Sequence, residues 1–143
     1  MDQRLSIITL GVSDLNTSRA FYEALGWRVA SEDGADKIVA FNLKAMALAL
    51  FPREELARDA GVEMNGGGKA HAPFTLAYNV ASEDEVDAVL KQAEECGAEI
   101  IKPAQKVFWG GYSGYFADPD GFLWEVAYNP FSKLQDDGSF QWG

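Results

Sequence analysis

The chain has 143 residues, of which 48% are hydrophobic, 13% aromatic and 24% charged, the size and make-up of one globular domain. A balance of 12 basic against 22 acidic residues gives a net charge of −10, which repels phosphate backbones and anionic bilayers and argues against nucleic-acid and membrane partners. The single cysteine, Cys96, excludes an intrachain disulfide, and no apolar run approaches the ~18 residues of a membrane span.

The opening residues carry no basic start leading into an apolar stretch, so a cytoplasmic location is expected. Leu5 to Val12 reads as a strand. Asp14 to Ser18 supplies small polar residues suited to a helix start. The helix Thr17 to Leu25 sets Ala20, Phe21, Ala24 and Leu25 on one face, and Gly26 is its expected left-handed terminator. Short strands follow around Trp27 to Ser31, Lys37 to Asn42 and Met46 to Phe51, separated by the turn signals Glu32-Asp33-Gly34 and Asn42 to Ala45. Pro52 to Ala60 reads as a short helix, and the glycine-rich stretch Gly61 to Ala72 as a link.

The pattern then restarts. Phe74 to Ala81 is a strand, and Ser82-Glu83-Asp84-Glu85 is a capping-box arrangement opening a helix to Cys96, with Gly97 as terminator. Cys96 at that helix end reads as a half-buried or buried thiol rather than a nucleophile. Strands are expected at Glu99 to Lys102, Tyr112 to Ala117 and Phe122 to Tyr128, with a tight turn at Asp118-Pro119-Asp120-Gly121. The polar tail from residue 130 to 143 is expected to pack on the outside through Phe131, Phe140 or Trp142. Val12 and Val80 end corresponding strands, and Gly26 and Gly97 end corresponding helices, each pair about 70 residues apart. The chain therefore reads as an α+β protein: one domain of two β-α-β-β-β modules (about 5–60 and 73–129), each a curved sheet with a helix on one face.

The run Thr9-Leu10-Gly11-Val12-Ser13-Asp14-Leu15, with Ser18-Arg19-Ala20-Phe21-Tyr22 and Leu25-Gly26, resembles the start of the glyoxalase / bleomycin-resistance / extradiol-dioxygenase (vicinal oxygen chelate) superfamily. The run from Gly114 through Asp118-Pro119-Asp120-Gly121 to Glu125 is similar to its closing hairpin. Within the superfamily the chain looks most like the uncharacterised glyoxalase-like members. The resemblance implies a mixed sheet curved around a cleft, helices outside, and a homodimer. It also implies a divalent metal held by His on the first strand and Glu on the last strand of each module. Here the histidine positions fall on Ile7 and Thr75, and the first carboxylate position falls near Leu48 or Ala49. Glu125 alone remains. The only histidine is His71, so a two-histidine-one-carboxylate centre is excluded by inventory; the expectation is no metal and no cofactor. With one imidazole, no Ser-His-Asp or Cys-His arrangement can be drawn either.

Strand alternation sorts the faces. Ile8, Leu10, Val12, Met46, Leu48, Leu50, Phe74, Leu76, Tyr78, Val80, Phe122, Trp124, Val126 and Tyr128 fall on the bulky side, expected under the helices. Thr9, Thr75, Asn79 and Glu125 fall on the opposite side, which the resemblance turns toward the cleft. The glycine-rich insertion Val107 to Tyr115 offers Trp109, Tyr112 and Tyr115 as a wall, unless these rings only fill a core or a dimer seam. Expected ligand-binding residues are thus Thr9, Thr75, Asn79, Trp109, Tyr112, Tyr115 and Glu125. Two functions remain open. One is metal-independent binding of a planar or aromatic small molecule. The other is a metal-free lyase or isomerase in which Glu125 is the catalytic acid/base.

Overall fold

The computed structural model describes residues 6–60, 75–108, 110–132 and 134–140, in two compact units, residues 1–70 and 71–143. The expected link Gly61 to Ala72, with His71, lies outside the described residues, as do Phe74, Trp109 and Trp142.

In the first unit, β1 (Ile7–Val12) leads into α1 (Leu15–Ala24). Asp14 caps the helix from an extended backbone, its carboxylate accepting the Thr17 N–H at 2.6 Å. The helix ends as expected at Gly26 (φ 95°). The Gly26 N–H donates to the Glu23 carbonyl at 2.9 Å and the Trp27 N–H to the Tyr22 carbonyl at 3.1 Å, a Schellman closure that only a residue tolerant of positive φ permits. β2 (Val39–Asn42) and β3 (Ala47–Pro52) follow, then α2 (Arg53–Ala60). The sheet order is β1-β3-β2, with β1 and β3 parallel and β2 antiparallel to β3.

The strand expected at Trp27 to Ser31 does not form. The segment makes one bridge, Val29 to Phe41, and the Ala30 N–H donates to the Ala40 carbonyl at 2.7 Å. Beyond it the polar run is drawn into turns: Ser31 Oγ accepts the Asp33 N–H, and the Glu32 and Gly34 carbonyls accept from Ala35, Lys37 and Ile38. These local bonds compete with a ladder and take the chain off the sheet edge.

The second unit repeats the plan and completes it. β4 (Leu76–Val80), α3 (Glu83–Glu95), β5 (Glu99–Lys106), β6 (Tyr112–Ala117) and β7 (Leu123–Tyr128) give the order β4-β7-β6-β5, with β4 and β7 parallel. Ser82 caps α3, accepting the Glu85 N–H at 3.2 Å, while the Glu85 carboxylate takes the Ala81 N–H at 2.9 Å. Gly97 (φ 99°) and Ala98 close α3 as Gly26 and Trp27 close α1. β5 runs to Lys106 rather than stopping at Lys102, with register irregularities on both sides of Lys102 that let Pro103 sit in an edge strand.

Burial follows the alternation on β6 and β7, but Tyr78 of β4, expected under the helix, is 51% exposed. On the helix side Trp124, Val126 and Phe116 are buried, and the Phe116 and Trp124 rings stack at 6.1 Å and 5°. Gly114 lies between them in the alternation, where a Cβ would stand 2.6 Å from Leu90 Cδ1 of α3 and 2.8 Å from the Lys102 carbonyl oxygen. Glycine there lets the helix settle on the sheet. The β6–β7 turn is held by the buried Asp118, whose Oδ1 accepts the N–H groups of Asp120 and Phe122 at 3.0 and 2.9 Å. This ties the Asp-Pro-Asp-Gly run to turn geometry.

Candidate functional site

The side of the second sheet that faces away from α3 carries Ala77 and Asn79 on β4 and Glu125 and Ala127 on β7, joined by the pairings Ala77–Glu125 and Asn79–Ala127. The tail folds back over these four residues. Asn129 shapes its start: its Oδ1 accepts the Phe131 N–H at 3.0 Å and its Nδ2 donates to Ser132 Oγ at 3.3 Å. A small hairpin follows, bridging Leu134 to Phe140. The Gln135 N–H donates to the Ser139 carbonyl at 2.9 Å and the Gly138 N–H to the Gln135 carbonyl at 2.7 Å, with Gly138 at φ 81°. Between sheet and tail lies a cavity of about 760 Å³, within the usual size range of small-molecule sites. Its floor is Ala77, Asn79, Glu125 and Ala127; Phe131, Leu134 and Phe140 supply apolar walls from the tail.

The structure brings together two of the expected site residues, Asn79 and Glu125, in that lining. Tyr115 is the direct cross-strand neighbour of Glu125 and does not line the cavity. Partial burial, then the charge of the neighbouring Glu125, push the Tyr115 phenol above its ordinary pKa. Tyr112 lies elsewhere. It alternates with Gly114 and Phe116 on the helix side, and its hydroxyl donates to Asp87 Oδ1 of α3 at 3.0 Å. That bond, burial and the acidic start of α3 raise its pKa. Thr75 precedes β4, exposed and outside the lining. Thr9 is exposed on β1, opposite Ala49, and Trp109 falls outside the described residues.

The tail residues were not among the expected site residues. The available signal was a pair of apolar positions, Leu134 and Phe140, flanking the Asp136-Asp137-Gly138 turn, which is a hairpin pattern.

The donor set does not fit the metal of the resemblance. β1 and β3 pair as β4 and β7 do, so Ala77–Glu125 corresponds to Thr9–Ala49. The carboxylate position of the first module is therefore a methyl group. Ile7 and Thr75 occupy the histidine positions, and no three His, Cys, Asp or Glu side chains gather as a metal site among the described residues. One carboxylate falls short of the three or four donors a transition-metal centre requires.

A model of the Glyoxalase/Bleomycin resistance protein/Dioxygenase superfamily matches residues 4–126. The chain belongs to this superfamily, and its fold is a small-molecule-binding one. The crystal structure of a glyoxalase-related enzyme from Fulvimarina pelagi is 33% identical, with a TM-score of 0.89 over 99% of both chains. That of a glyoxalase/bleomycin resistance protein/dioxygenase from Nocardioides shares the fold at 22% identity, with a TM-score of 0.76 over 100% of this chain and 91% of the other. The anthracycline biosynthesis protein DnrV of Streptomyces peucetius is 28% identical over 120 residues, 82% of this chain and 44% of DnrV. The chain thus spans less than half the length of the curated relatives it matches. Among the described residues, no helix is long and apolar enough to cross a membrane.

Proposed function

We propose that the protein is a metal-independent small-molecule-binding protein that holds a planar or aromatic ligand between the second sheet and the C-terminal tail, and that it works as a homodimer. The observation carrying this reading is the cavity of about 760 Å³ whose floor is alanine, asparagine and one glutamate under phenylalanine walls. Small floor residues leave room for a flat body, and two polar groups on one side orient it. A thermal-shift screen tests it: aromatic compounds raise the melting temperature by mass action, whereas Zn, Ni, Fe and Mn salts do not. Elemental analysis finding about one such metal per chain after dialysis would overturn metal independence. A concentration-independent mass of 15.6 kDa in light scattering would overturn the dimer.

The cross-strand pairing of Tyr115 with Glu125 supports a second reading, a lyase or isomerase in which Glu125 moves a substrate proton beside a phenol whose pKa is raised. Glu125→Gln separates the two: turnover vanishes if the carboxylate is the acid/base, while a binder loses only affinity.

A further inference from the structure

The walls of the cavity specify more than flatness. Phe131 and Phe140 are 74% and 39% exposed, and both line the cavity. Phe131 is nevertheless held in place. A Cβ at Gly110 (φ +92°) would lie 3.1 Å from the edge of its ring, and the Asn129 bonds fix its backbone. Opposite these rings stands Glu125, and among the described lining residues none is lysine or arginine. A carboxylate has about four acceptor positions, so Glu125 has capacity for a ligand. Asn79 adds a further amide acceptor on the same floor.

Phenylalanine faces attract cations through the ring quadrupole, and a carboxylate attracts them by charge and hydrogen bonding. Both elements disfavour an anion. The net charge of −10 raises the local concentration of cations around the protein further. We infer that this site selects a ligand with a flat apolar body and a protonated amine, the amine set on Glu125 and Asn79 and the body against Phe131 and Phe140. The inference rests on the cavity being the ligand site, as proposed above, and adds the charge of the ligand.

Three probes of one shape test it by calorimetry: naphthylmethylamine as the cation, naphthylmethanol as the neutral form and naphthoate as the anion. The expected result is that the amine binds about tenfold more tightly than the alcohol, that naphthoate binds weakest, and that the amine's advantage shrinks with added salt. Glu125→Gln erases the difference between amine and alcohol and leaves the alcohol's affinity in place. Phe140→Ala weakens amine and alcohol together. Near-UV circular dichroism verifies that each variant is folded. Naphthoate binding best, an amine advantage that survives Glu125→Gln, or no binding of any probe would overturn cation selection while leaving the cavity reading to the broader screen. Binding that neither Phe131→Ala nor Phe140→Ala alters would show the ligand to sit elsewhere, and both readings would fall.

Discussion

The two modules share a strand order and differ in what covers the side of the sheet away from the main helix. In the first, α2 follows β3 directly and lies so close to β1 that a Cβ at Gly11 would stand 3.1 Å from Arg53 Cβ and 3.2 Å from Leu56 Cδ2. In the second, the corresponding position is Asn79, and the chain after β7 forms a hairpin that stands off the sheet and leaves a cavity. The helix closes on the sheet at Gly11, while Ile7 and Thr9 farther along the same side of β1 stay exposed. A short hairpin braced by its own turn bonds can span the space over a sheet without filling it. The carboxylate follows the same division, with Ala49 in the packed module and Glu125 in the hollow one. One copy of the repeat sets a helix against this side of its sheet, and the other leaves a cavity there.

The helix sides differ in where their aromatic rings come from, and the largest expected effects lie there. Phe41 pairs with Leu48 as Phe116 pairs with Trp124. In the first module Tyr22 and Trp27 pack against Phe41, at 5.7 and 5.5 Å; in the second Phe116 stacks on the strand residue Trp124. Trp124→Ala is expected to cost about 3–5 kcal/mol, measured by urea denaturation, and Leu48→Ala less, since the ring cluster of its module survives. Equal costs would mean that the Phe116–Trp124 stack adds nothing beyond burial. Gly114→Ala comes next, at about 1–3 kcal/mol, because the added methyl meets the backbone of β5 and cannot be accommodated by a side-chain rotation. Gly11→Ala is expected to cost less, since its nearest contacts, at 3.1–3.3 Å, are looser and include the movable Leu56 side chain.

Most of this scaffold was legible in the residues. Alternation placed Trp124 and Val126 under the helix and Glu125 opposite them, and Gly26 and Gly97 marked helix ends because only glycine accepts that backbone readily. What escaped depended on pairing at a distance. β5 continues past Lys102 because β6 is there to pair with it, whereas Pro103 argues for an end. Tyr112 was read as part of a loop wall, yet it keeps step with Gly114 and Phe116, and extending the alternation two residues back assigns it to the helix side. The tail's polar composition pointed to solvent. Its few apolar residues find the sheet only because the hairpin turn brings Leu134 and Phe140 together.

Glu125→Gln sharpens the contrast between the modules. It is expected to shift stability by no more than about 0.5 kcal/mol and to weaken ligand binding by about 1–3 kcal/mol, a separation of stability from function that a core residue does not give. A large loss of stability would place Glu125 in the packing of the module. Tyr115 adds a pH signature. Its folded pKa is raised, so its contribution to stability is complete below the unfolded value of about 10 and is lost as the pH rises through the higher folded value. Ultraviolet titration of wild type against Tyr115→Phe should show this phenol ionising after the exposed tyrosines.

The smallest effect concerns the two caps, which occupy matching places and differ in chemistry. Asp14 holds the Thr17 N–H with a carboxylate, and Ser82 holds the Glu85 N–H with a hydroxyl. The bonds from Thr17 hold the Asp14 carboxyl below its ordinary pKa. A depressed carboxylate pKa contributes stability that is present above the unfolded value and is lost as the pH falls through the folded one. The start of α1 should therefore loosen in acid. Ser82 has no proton to gain in that range, and Ser82→Ala should cost about 1 kcal/mol at neutral pH. Amide exchange of Thr17 and Glu85, followed as the pH is lowered, reads the two caps in one experiment: protection at Thr17 should fall relative to Glu85, and Asp14→Asn should remove that divergence. If the divergence survives Asp14→Asn, the acid sensitivity of α1 comes from groups other than its cap.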